Sequence, residues 1–142
     1  MIRTAFALLL LAQPALAWEF KTGPICVLED DGENAFVKLT YDPSGPLYSI
    51  AITPNQAWEA SPLFGIQFDG PAALTITTDR HVLSDSNATV TVTDRGFGNV
   101  LNGLEFNETA TAMLGRQLIT MSLDGAAPEV QKFRQCAEGV GV

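Results

Sequence analysis

Apolar and polar residues alternate with a period of two along most of the chain. Ala35, Val37, Leu39 and Tyr41 fall on one face of a run, and Tyr48, Ile50 and Ile52 on one face of the next. Phe64, Ile66 and Phe68 oppose Gly65, Gln67 and Asp69, Leu74 and Ile76 oppose Thr75 and Thr77, and Val90 and Val92 oppose Thr89, Thr91 and Thr93. This is the pattern of antiparallel strands with one buried and one wet face. The threonine rows suit it, because β-branched residues pack well on a pleated surface. Asp31-Gly32, Asp42-Pro43-Ser44-Gly45-Pro46, Asp69-Gly70-Pro71 and Asp85-Ser86-Asn87 separate the runs with turn-forming residues. Residues 74–80 (LTITTDR) echo residues 89–95 (TVTVTDR), which predicts two adjacent strands joined across the Asp85 turn.

After Gly98 the period changes. Val100, Leu101 and Leu104 have helical spacing, residues 109–114 and 117–123 predict a hairpin across Gly115-Arg116, and Ile119, Met121 and Leu123 share a face. A final helix is expected from near Asp124 to Gly139, with Pro128 in its first turn and Val130, Phe133 and Ala137 as its apolar stripe. Eight or so short strands with two short helices, the second at the C-terminus, predict a mostly β fold: an antiparallel β-sandwich or squat barrel. Residues 18–142 form one domain, with no linker or low-complexity tract.

The first 17 residues follow another logic. Arg3 is a short positive region, residues 6–12 are an apolar core too short to span a bilayer, and Ala15-Leu16-Ala17 is a small-x-small cleavage site. The expectation is a signal peptide cleaved after Ala17 and a periplasmic or secreted protein beginning at Trp18. No cysteine follows the apolar core to carry a lipid, and no later stretch approaches about 18 consecutive apolar residues, so no stable membrane insertion is expected after cleavage.

Composition narrows the function classes. With 46% hydrophobic and 17% charged residues the chain is not intrinsically disordered, and 142 residues suit a single domain. The formal charge is −8, and losing Arg3 with the leader makes it −9. Nucleic-acid binding needs the opposite sign to gain counterion-release energy, so no nucleic-acid partner is expected. Cys26 and Cys136 are the only cysteines. In an oxidising compartment they predict one disulfide closing a loop of about 110 residues.

Candidate chemistry is sparse. There is no G-x-S-x-G and no P-loop motif. The single histidine, His81, would have to meet a serine and a carboxylate in space to form a triad, and Ser84 and Asp79 lie too near along the strand to converge on it. One histidine and two paired cysteines do not make a zinc site. Glu29-Asp30-Asp31-Gly32-Glu33 is rich in calcium-type ligands but lacks their regular spacing, and a solvated hairpin tip accounts for it as well. No cofactor or metal is expected. A carboxylate pair for hydrolysis stays open, because its separation is a three-dimensional quantity.

Thr93-Asp94-Arg95-Gly96-Phe97-Gly98-Asn99 joins a strand to a helix start. Gly96 and Gly98 leave backbone N–H groups open, and Arg95 adds a positive charge, so the run reads either as an anion site or as a tight turn under a Phe97 lid. Trp58 lies in a loop before an alternating strand, where it either anchors a partner or caps the open end of the core. Trp58, Arg80, Arg95, Gly96, Phe97 and Gly98 are therefore the candidate contacts for a ligand or partner.

Leu123-Asp124-Gly125-Ala126-Ala127, Phe133 and Cys136 resemble the closing strand and helix of the invasion-associated locus B family, over about the last 40 residues. That resemblance implies a small exported, mostly β protein of a bacterial envelope. Trp18-Glu19-Phe20, Cys26, Leu39-Thr40-Tyr41-Asp42, Thr78-Asp79-Arg80-His81, the run from Asp94 to Leu101, and Gly103-Leu104 are similar to a group of small exported alphaproteobacterial proteins, some of which carry the name of a DNA-repair excinuclease. That name conflicts with the missing P-loop, the acidic charge and the export signal. Neither resemblance implies a catalytic residue. The expected function is a non-enzymatic binding or accessory protein whose partner is an envelope protein or a small ligand. The alternatives are a small carboxylate-dependent periplasmic hydrolase, and an inhibitor or accessory component of an envelope enzyme.

Overall fold

Strands with one apolar face must bury that face against something, and here two sheets bury theirs against each other. The structure, a computed structural model, describes residues 18–139. Its elements are β1 (Trp18–Lys21), β2 (Cys26–Asp31), β3 (Ala35–Asp42), β4 (Leu47–Pro54), β5 (Phe64–Asp69), β6 (Leu74–Thr78), β7 (Val82–Ser84), β8 (Thr89–Asp94), α1 (Gly98–Phe106), β9 (Thr109–Leu114), β10 (Gln117–Ser122) and α2 (Ala126–Gly139). The six-stranded sheet has the order β1-β2-β3-β4-β8-β7 and the four-stranded sheet β10-β9-β5-β6. All pairings are antiparallel, and the two packed sheets form a sandwich rather than a closed barrel. The expected leader lies outside the described residues.

The alternation read from the sequence sets the inner faces. Ala35, Val37 and Leu39 of β3 meet Phe64, Ile66 and Phe68 of β5 in one core, with Ile50, Ile52 and Val90 beside them. Three strands are not among the runs read from the sequence: β1 at one edge and the three-residue β7, which are short, and β2, whose acidic end masks its alternation. Of these, β7 changes the topology. The strand joined to β8 across the Asp85 turn is β7, paired Leu83 to Val90, whereas β6 pairs with β5 in the other sheet. The two echoing segments, expected to be adjacent, therefore face each other across the sandwich.

The two sides of the sandwich are closed differently. On one side Trp18 Nε1 donates to the Ser122 carbonyl (3.1 Å) and Asn34 Nδ2 to the Thr120 carbonyl (2.7 Å), binding β1 and the β2–β3 turn to β10. There α2 packs on β1 and β2 with Val130 and Phe133 fully buried, and Cys136 is joined to Cys26. Arg134 of α2 reaches α1, donating from Nε to Glu105 Oε1 (2.9 Å) and from Nη2 to Asn102 Oδ1 (2.7 Å). On the other side β6 opposes β8 without a comparable seam, and the space between them stays open.

Candidate functional site

The open side holds a cavity of about 450 Å³, within the range of small-molecule sites. One wall is Ile50 of β4 and Val92 of β8, the facing wall is Phe64 and Ile66 of β5 with Ile76 of β6, and the end is the β8–α1 turn from Gly96 to Val100. Period-two alternation aims Ile76 and Val92 inward, yet both remain only half-buried because no side chain fills the space between them.

Polar groups gather at the mouth. Arg80, just past β6, donates from Nη2 to Asp94 Oδ2 at the end of β8 (3.1 Å), so the ends of the two facing strands carry an ion pair. Asp94 Oδ1 accepts from the Arg95 backbone N–H (2.7 Å). Thr77, Thr78 and Asn99 also line the cavity. Phe97 is the N-cap residue of α1 and supplies no side-chain cap bond, and the first turn of α1 carries no acid. The ring of Phe97 is held from behind by a file of aromatics. It stacks on Tyr48 with centroids 5.4 Å apart, and Tyr48 in turn contacts Tyr41 and Phe133. Burial, with Tyr41 adding to it, raises the Tyr48 phenol above its ordinary value, so it stays neutral in this file. The end wall is thus braced on the bridged helix α2.

Of the candidate contacts, the structure brings Arg80, Gly96, Phe97 and Gly98 together on the cavity. Arg95 stays exposed and outside the lining, contributing its backbone rather than its charge. Trp58 is not an exposed anchor. It is 2% exposed, donates from Nε1 to the Ile52 carbonyl (3.1 Å) and meets Phe64 edge-on. A buried indole N–H requires an acceptor, and the chain after β4 turns back to supply one. His81 Nε2 lies 2.9 Å from the Ser61 carbonyl and its ring tilts on Phe64, so it meets a backbone oxygen rather than a serine hydroxyl. Sequence reasoning missed the apolar walls. Their signal was the inward parity of Ile76 and Val92 with nothing to cover it.

The acidic run of β2 does not converge on one point. Glu29 faces outward and pairs with Lys21, while Asp30 faces inward with Cys26 and Leu28. Among the described residues no group of three or more His, Cys, Asp or Glu side chains is placed to hold a metal ion. Asp30 is 3% exposed and its Oδ1 is buried with no hydrogen-bond partner. Desolvation, with a smaller contribution from neighbouring Asp31, pushes its carboxyl up to about 6 from an unfolded value of 3.8. The folded state therefore holds this proton more tightly than the unfolded chain. The stability gained from it is complete below pH 3.8 and is lost as pH rises through about 6. Asp30→Asn is expected to stabilise the protein by about 3 kcal/mol at pH 7.5 and by under about 1 kcal/mol at pH 4. Denaturant melts at the two pH values check this, and an equal effect at both would contradict it.

The cavity lining offers threonine, one arginine, one aspartate and one asparagine as its polar side chains, without histidine, cysteine or serine. Such a set can bind and orient a small molecule, and it lacks a paired nucleophile and base. Among the described residues no helix is long and apolar enough to cross a membrane. No protein-family model matches the chain, and no curated protein or solved structure gives a significant match to it.

Proposed function

We propose that the protein is an exported, non-enzymatic binding protein, periplasmic or secreted, that carries one small and largely apolar molecule between its sheets. The observation that carries this reading is the cavity of about 450 Å³ with Ile76 and Val92 inward-facing but uncovered. Leaving apolar surface open in a domain of this size sacrifices burial of roughly 25 cal/mol per Å², a loss that a bound apolar ligand restores. The Cys26–Cys136 bridge supports an oxidising compartment, as does the leader. The rival readings each name their own signature. A carboxylate hydrolase calls for two acids in the cleft, and Asp94 is the single acid of this lining, while Asp30 lies elsewhere. An inhibitor or enzyme component organised around an exposed Trp58 calls for a ring that is here inside the core.

The test uses N-phenyl-1-naphthylamine, a neutral apolar dye that brightens on leaving water. The purified oxidised protein is expected to bind it with micromolar affinity. Ile76→Trp, which fills the cavity from an edge strand, is expected to weaken binding at least tenfold while shifting the melting temperature by only a few degrees. Binding that survives Ile76→Trp unchanged would place the dye elsewhere and remove the basis of the reading.

A further inference from the structure

The two ends of the cavity differ in chemistry, and the difference selects a ligand class. Resting on the reading of the cavity as a ligand site, we infer that it takes a single-chain amphiphile with an anionic head, tail inward and head at Arg80. The inner walls are hydrocarbon from Ile50, Ile66, Ile76 and Val92, and they offer a tail no polar partner. The mouth offers donors. A guanidinium has five N–H groups in a planar fork suited to carboxylate or phosphate oxygens. One of those of Arg80 goes to Asp94, and no other side-chain partner of Arg80 occurs among the described residues.

Asp94 offsets much of the guanidinium's charge, so the preference rests on directed donors rather than on net charge. Asp94 accepts from Arg80 Nη2 and the Arg95 N–H, which fixes the guanidinium at the opening with its remaining N–H groups available to an anion. The start of α1 adds to the same side. Gly98, Asn99 and Val100 line the cavity, no side chain caps their helix, and a Cβ at Gly96 or Gly98 would meet nothing within 4 Å. Open backbone N–H groups at the positive end of a helix favour an anion. The whole-chain charge of −8 works against an anion at long range, which makes these local donors the source of selectivity.

Size fixes the tail. At about 30 Å³ for each water-sized group, the cavity holds roughly fifteen such groups, enough for one medium chain and its head.

Calorimetric titration with decanoate, decyl phosphate, decanol and decyltrimethylammonium, each below its micelle concentration, tests the assignment. Decanoate is expected to bind at least tenfold more tightly than decanol, and the cation most weakly. Decyl phosphate binding more tightly than decanoate would assign the head as a phosphate, and the reverse order as a carboxylate; either order fits an anionic head. Arg80→Gln, at a largely exposed position, is expected to remove most of the gap between decanoate and decanol. Decanol equal to decanoate, or a gap that survives Arg80→Gln, overturns the anionic head and leaves the apolar site standing. Failure of all four to bind, or binding indifferent to Ile76→Trp, overturns the cavity as a site and this inference with it. Should Arg80→Gln fail to fold, the four-ligand series on the unaltered protein still decides the head.

Discussion

Removing the bridge by changing Cys26 and Cys136 together to alanine is expected to lower the unfolding free energy by about 4–5 kcal/mol. The two cysteines are 110 residues apart, so the bond constrains nearly all of the described chain in its unfolded state. Domains of this size hold only about 5–15 kcal/mol in total, and the loss corresponds to a fall on the order of 15 °C in melting temperature. The effect should be global, because Val130 and Phe133 still seat α2 on the core. Paired denaturant curves for the oxidised and double-alanine proteins provide the check. A difference under about 1 kcal/mol would mean that the unfolded chain gains little freedom when the loop opens. The bridge also bears on the cavity. It fastens α2, α2 holds α1 through Arg134, and α1 begins at the cavity wall.

The second large effect is expected at Gly103. In a helix interior, glycine to alanine normally stabilises by up to about 1 kcal/mol. Here a Cβ would lie 2.4 Å from Phe68 Cδ2 and 2.5 Å from its Cε2, and Phe68 is fully buried near the end of β5. The void beside Phe68, about 10 Å³, is too small to take up a displaced ring, so helix and sheet must separate. Gly103→Ala is therefore expected to destabilise by about 3 kcal/mol, at the upper end of ordinary overpacking. Phe68→Leu, costly alone, should partly relieve it. The double variant is expected to be at least about 1 kcal/mol more stable than the sum of the single effects. Simple additivity would show that the two residues do not press on one another.

Much of the fold was legible because parity is a local property. Counting by twos from Phe64 placed Ile66 and Phe68 inside, and counting from Cys26 and Leu28 would have placed Asp30 inside, although its charge argued for a solvated tip. Pairing is not local. The echo between residues 74–80 and 89–95 states that two strands end alike, but not whether they lie side by side or face to face. They face, and that choice brings Arg80 to Asp94. The glycine run before α1 drew attention because its composition is unusual, and it lines the cavity. Arg95 has the same composition in its favour and points away, since adjacent residues at a strand end leave on opposite sides. Trp58 was ambiguous because nothing in a loop sequence tells whether it returns to the core. The acceptor that decides it, the Ile52 carbonyl, is a backbone atom that every residue possesses.

An apolar molecule is expected to enter between β6 and β8, and methyl-resolved NMR during addition of N-phenyl-1-naphthylamine tests this most directly. The methyl signals of Ile50, Ile66, Ile76, Val92 and Val100 are expected to move together in proportion to occupancy, while exposed Leu118 and Val82 stay still. Shifts confined to Leu118 and Val82, or no movement of the five at saturating dye, would contradict it.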